Sequence, residues 1–146
     1  MPQTKLIYYQ ETEGNSPVVT WLRELRRQNA KAYAKCEVRI KRLSEVGHEL
    51  RRPEADFLRD GIYELRSHSG TVNYRVLYFF HGRNVAILAH GITKEGEIPA
   101  IEINRAVARK KAFEQDPTGH TYKEELRLNT REKRKSPQMP SRFSTR

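Results

Sequence analysis

The stretch from Asp60 to Phe80, DGIYELRSHSGTVNYRVLYFF, constrains this chain more than any other. Ile62, Tyr63 and Leu65, then Tyr74, Val76, Leu77, Tyr78, Phe79 and Phe80, are β-branched, aromatic or aliphatic, the residue types that suit a pleated, half-buried surface. Two strands are expected. The polar segment from Ser67 to Asn73 joins them, and its Gly70 suits a hairpin loop of about five residues. Arg66 and Arg75 interrupt the apolar runs. A guanidinium inside a strand is costly to desolvate, so this pair marks where function is expected.

The flanking segments supply the remaining elements. Lys5 to Tyr9, KLIYY, reads as a first strand. Ser16 then caps a helix with Pro17 at its first position, and Val18, Trp21, Leu22 and Leu25 give it one apolar stripe. After a weak break at Gln28-Asn29 a second helix runs from about Ala30 to Val46, with Ala32, Cys36, Ile40 and Leu43 on one side and Gly47 as its stop. His48 to Arg59 is polar and reads as a loop ending in a turn at Asp60-Gly61. Val85 to His90 is apolar up to its final histidine and reads as a third antiparallel strand, followed by a loop from Gly91 to Gly96. Pro99 opens a last helix, with Ile98, Ile101, Ala106 and Ala108 inward and Arg105, Arg109, Lys110 and Lys111 outward. The expected architecture is α+β: an N-terminal strand, a helical hairpin, a three-stranded antiparallel sheet and a C-terminal helix.

Charge narrows the function classes. The formal net charge of the 146 residues is +10. Residues 1–116 hold 20 Lys and Arg against 15 Asp and Glu, and residues 117–146 hold 8 against 3, so each part carries +5. A basic balance favours an anionic partner, nucleic acid first, with plain solubility as the other reading. The texture changes at the breaker cluster Asp116-Pro117-Thr118-Gly119, which divides a domain at 1–116 from a basic, flexible tail at 117–146. The single cysteine, Cys36, rules out an intrachain disulfide and a cysteine metal cluster, as suits a reducing cytoplasm. No signal-peptide pattern is visible, and no apolar run approaches the ~18 residues of a membrane span. A cytoplasmic protein without metal or cofactor is expected.

The strand–helix–helix order, GIYELR at 61–66, YRVLYFF at 74–80 and ILAHGITKEGEIP at 87–99 together resemble the RelE/ParE superfamily of toxins, in particular its HigB-type, phage-associated branch. The resemblance covers roughly residues 3 to 114. It implies the toxin of a type II toxin–antitoxin system: a metal-independent endoribonuclease that cuts mRNA on the ribosome and is silenced by an antitoxin, expected to be a helix-turn-helix protein. The gyrase-inhibiting ParE side of the superfamily and a non-catalytic RNA- or ribosome-binding protein are the rival readings.

Strand alternation puts Glu64 and Arg66 on one face, and Arg75 joins them if the hairpin register agrees. Arg75 matches the family position of a phosphate-binding, transition-state arginine, and Lys94 falls where the family places another basic residue. His90 reads either as an acid–base group or as a buried structural histidine. Glu64 reads either as a base or as an ion-pair partner of the arginines. RelE carries lysines on the strand that here reads Ile62-Tyr63-Glu64, so the base and acid are not carried over from the family. Tyr74 is a candidate for base stacking, with His68, Arg39, Lys35 and Arg109 as further RNA contacts. The basic residues of the second helix otherwise form a solvated face.

Overall fold

The computed structural model describes residues 3–94 and 96–122. Helix α1 (Pro17–Gln28) begins where its cap places it: the Ser16 hydroxyl accepts a hydrogen bond from Val19 N–H at 3.3 Å. Asn29 alone separates α1 from α2 (Ala30–Val46), and its Oδ1 accepts from Ala32 N–H at 3.1 Å. One residue thus closes one helix and caps the next, which fixes the helical hairpin.

Five strands form one sheet in the order β1-β5-β4-β3-β2. They are β1 (Lys5–Tyr8), β2 (Ala55–Arg59), β3 (Ile62–Ser69), β4 (Val72–Phe80) and β5 (Val85–Lys94). β1 runs parallel to β5, and every other neighbouring pair is antiparallel. The α+β class is as expected, but the three-stranded sheet is corrected to five. The polar loop at 48–59 conceals β2, an edge strand whose outer side meets solvent and therefore tolerates charge. Asp60 (φ 54°) and Gly61 (φ 79°) make the two-residue turn that feeds β3. The β3–β4 connection is also tighter than expected: Ser69 pairs with Val72, leaving only Gly70-Thr71 between, with Gly70 at φ 62°.

β5 continues through the segment read as a loop, and Gly91 is the reason. The α1 side chain Trp21 lies across this strand, its Nε1–H donating to Thr93 Oγ1 at 3.1 Å. A Cβ on residue 91 would fall inside the Trp21 indole. Glycine here serves close helix–sheet approach inside a strand.

The sheet has a helical layer on each side. Leu65, Tyr74, Val76, Tyr78, Ala86 and Leu88 pack against α1 and α2. Ile62, Leu77, Phe79, Ile87 and Ala89 pack on the other face against Ala106 and Phe113 of α3 (Ala100–Gln115). Ala108 and Ile101 are exposed instead of inward. Packing continues past residue 116: Tyr122 N–H donates to Tyr8 O at 2.9 Å, Thr121 bridges to Tyr9, and the Tyr122 side chain is buried. The rest of the expected tail, from residue 123, lies outside the described residues.

Gly91→Ala should destabilise the fold by about 1–3 kcal/mol through overpacking, read by chemical denaturation with Trp21 fluorescence as reporter. Adding Trp21→Leu should recover part of the loss, because the clashing ring is gone.

Candidate functional site

Register on the α3 face assembles the site. Reading across the strands, residues fall into three rows: Asp56–Glu64–Leu77–His90, then Arg66–Arg75–Ile92, then His68–Asn73–Lys94. All five residues singled out for catalysis, Arg75, Arg66, Glu64, His90 and Lys94, therefore share one face. They do not share one environment, because α3 covers only part of it.

The middle row and its neighbour Glu64 form the first cluster. Arg66 and Arg75 are directly opposite each other. Glu64 lies between their guanidiniums, with Oε1 3.2 Å from Arg75 Nε and Oε2 3.8 Å from Arg66 Nε. The Arg66 side chain is 40% exposed, whereas Arg75 and Glu64 are 11% and 8% exposed. Arg75 also donates from Nη1 to the carbonyl of Gly96 at 2.6 Å, which ties it to the segment leading into α3. Yet the buried Arg75 Nε and Glu64 Oε1 complete no hydrogen bond. The two atoms face each other as an ion pair, as His90 Nε2 does toward Glu102 Oε1. Burial raises the Glu64 carboxyl above its ordinary range, against the lowering pull of Arg75 and then Arg66. Two cations and one carboxylate, with exposed Lys94 and His68 in the adjoining row, leave positive charge in excess beside solvent.

The second cluster lies under α3 and has another character. His90 is buried, its Nδ1 2.7 Å from Arg109 Nη1 and its Nε2 3.2 Å from Glu102 Oε1. Arg109 donates onward from Nη2 to Glu11 Oε2 at 3.0 Å. Burial first and Arg109 second pull the His90 imidazole down to about 4, against the opposing effect of Glu102. Of the two readings left open for His90 the buried structural one fits, and the outward reading of Arg109 is corrected. His90 is a neutral imidazole linking α3 to the sheet, poorly suited to deliver a proton at neutral pH. Arg109 points inward to hold Glu11 and His90, although helical patterning set it on the outer face.

Three other RNA-contact candidates are occupied elsewhere. Tyr74 lies on the opposite face, buried with its ring 6.5 Å from Trp21, so the expected stacking platform is core. Arg39 donates from Nε to Arg66 O at 2.7 Å and from Nη1 to Glu54 Oε2 at 3.1 Å, fastening α2 to β3. Lys35 reaches His68 O at 3.4 Å. Sequence reading missed the Arg52–Asp56 pair, 2.9 Å apart, whose Asp56 stands opposite Glu64 at the β2 edge. Its signal was the short alternation Ala55-Asp56-Phe57, hidden in a polar segment. Among the described residues, no group of three or more His, Cys, Asp or Glu side chains is placed to hold a metal ion. Nor is any helix among them long and apolar enough to cross a membrane.

The fold and site define a small α+β protein that presents paired arginines on one face of an antiparallel hairpin. The family model described as Phage derived protein Gp49-like (DUF891) matches residues 23–111, more than half of the chain, and the protein belongs to that family. No curated protein matched the sequence.

The depressed His90 value sets a sign for pH dependence. The imidazole is neutral when folded and titrates near 6.5 when unfolded. Its contribution is therefore complete above about pH 6.5 and lost as pH falls toward 4, on the order of 3 kcal/mol in all. Glu64, raised by burial, acts in the opposite sense as pH falls. The comparison is therefore between the protein and His90→Gln. Denaturant unfolding across pH 4–7 should show the difference in stability between the two changing through this window.

Proposed function

We propose that this protein is the toxin component of a type II toxin–antitoxin system and acts as a metal-independent endoribonuclease on mRNA, at the ribosome. The observation that carries the reading is the Arg66–Arg75 row: two arginines at opposed positions across a strand pair, both beside one buried carboxylate, with the Arg66 side chain reaching solvent. Such a pair is suited to a phosphodiester, because each guanidinium offers several N–H donors in a planar fork that fits phosphate oxygens.

In the proposed reaction the ribose 2′-hydroxyl loses its proton and attacks the adjacent phosphorus. A 2′-O–P bond forms and the P–O5′ bond breaks, leaving a 2′,3′-cyclic phosphate and a 5′-hydroxyl. Arg75 and Arg66 stabilise charge on the phosphorane oxygens, the role that preorganised donors serve best. Glu64 positions both arginines, and its upward-shifted carboxyl suits it to accept the 2′-hydroxyl proton. In this reading Lys94, exposed in the next row, gives O5′ its proton, and His68 beside it contacts the RNA. The partner that keeps such a protein silent is an antitoxin of helix-turn-helix type, with acidic groups complementary to the cationic face.

Induction of the protein in cells followed by mapping of RNA 5′ ends tests the reading. New ends in translated mRNA are expected, with loss when translation is blocked. Arg75→Lys keeps the charge but loses the fork, and should reduce cleavage by about 10²-fold at temperatures where circular dichroism shows the variant folded. Arg66→Ala, at the more exposed position, should act in the same direction. DNA breaks with intact RNA would mark a gyrase inhibitor instead, and salt-sensitive RNA binding without cleavage would mark a plain RNA-binding protein.

A further inference from the structure

A concave region lies around the β2 edge from the arginine row. A cavity of about 480 Å³ opens there, lined by His48, Arg51, Arg52, Asp56, Phe57 and Tyr63 among others. Its volume falls in the range of small-ligand sites. Aromatic rings form its wall. Tyr63 stacks on Tyr78 at 5.4 Å and meets Phe57 edge to face at 5.2 Å, while His48 stacks on Phe80 at 3.6 Å. Phe57 is 54% exposed, so a large aromatic ring stands open to solvent on a sheet edge.

Guanidiniums line the rim. Arg51 is held by donation from Nη1 to the carbonyls of His48 at 2.7 Å and Leu50 at 3.3 Å. Arg52 reaches Asp56 Oδ2 at 2.9 Å, with its side chain 73% exposed. Asp56 in turn stands opposite Glu64 in the first row of the candidate site. Phe57 and Tyr63 belong to the α1–α2 face and the Arg66–Arg75 row to the α3 face, so an RNA strand running from one to the other turns around the β2 edge at the Arg52–Asp56 pair.

We infer that this cavity is a nucleotide subsite for single-stranded RNA, in which a base stacks on Phe57 and the neighbouring phosphate is held by Arg51 and Arg52. Planar rings beside cations are the recurring chemistry of single-strand recognition, because every base offers a π-face and every step a phosphate. A peptide strand added along β2 would use backbone pairing instead and would have no need of the guanidinium rim. The inference rests on RNA as the partner in the proposed function, and extends it to where the strand beside the scissile phosphate goes.

The test uses the full-length protein and a short, fluorescein-labelled, single-stranded 2′-O-methyl RNA, which cannot be cut because the attacking hydroxyl is blocked. Anisotropy should show Phe57→Ala weakening binding about ten-fold, Phe57→Trp retaining it, and Arg52→Gln lowering the salt slope by about one. Unchanged affinity and salt slope in both Phe57→Ala and Arg52→Gln would overturn the inference. So would loss of a co-purifying protein partner in Phe57→Ala while RNA affinity stays constant, since the cavity would then serve a protein. Cleavage of unmodified mRNA, measured in parallel, separates the two proposals. If Phe57→Ala and Arg52→Gln both bind normally while the unaltered protein cuts and Arg75→Lys does not, the subsite fails and the nuclease stands. If Phe57→Ala loses affinity while the unaltered protein never cuts, the subsite stands and the nuclease fails.

Discussion

Register between β3 and β4 is the constraint on which the site depends. The Gly70-Thr71 turn sets Arg66 opposite Arg75, and a slip of one residue would send every side chain of one strand to the other face. The apolar residues hold the same alignment from below. Leu65 and Val76 pair toward the α1–α2 layer, while Ile62, Leu77 and Phe79 pack toward α3. Core burial and placement of the arginines are therefore two results of one alignment. Neither can change without the other.

Within that alignment the two ends of the α3 face do different work. Under the helix, buried His90 and the half-buried Arg109, Glu102 and Glu11 link β5, α3 and the segment after β1 in one polar network. A network of this kind favours one arrangement of its parts, and loss of one member leaves the others unpaired in low dielectric. Beyond the helix, the Glu64 carboxylate keeps two like charges side by side. Its burial favours the neutral form and the arginines favour the charged one, so the carboxyl is poised between them.

Much of this was legible in the chain. Ser16 with Pro17 announced α1, Gly47 ended α2, Cys36 fell in the core, and Glu64 and Arg66 shared a face by simple alternation. What escaped reading did so for identifiable reasons. β2 was hidden because an edge strand need not look apolar. Gly91 looked like a break because its purpose, room for Trp21, is set by a residue 70 positions earlier. Arg109 looked solvated because its partner Glu11 is 98 positions away. Tyr74 sits beside Arg75 in sequence and on the opposite face in space, so adjacency misled where alternation would have served. Of these misses, Gly91 and Arg109 turn on contacts between distant segments, which local rules do not read.

Arginine side-chain NMR tests most directly whether Arg66 and Arg75 form a seat for an RNA phosphate. With the full chain labelled at arginine nitrogen, titration with a non-cleavable single-stranded RNA should shift the Nε resonances of Arg66 and Arg75 together. Glu64→Gln should weaken that paired response, because the carboxylate that aligns them is gone. Shifts confined to arginines remote from this row, with Arg66 and Arg75 unmoved at saturation, would contradict the account.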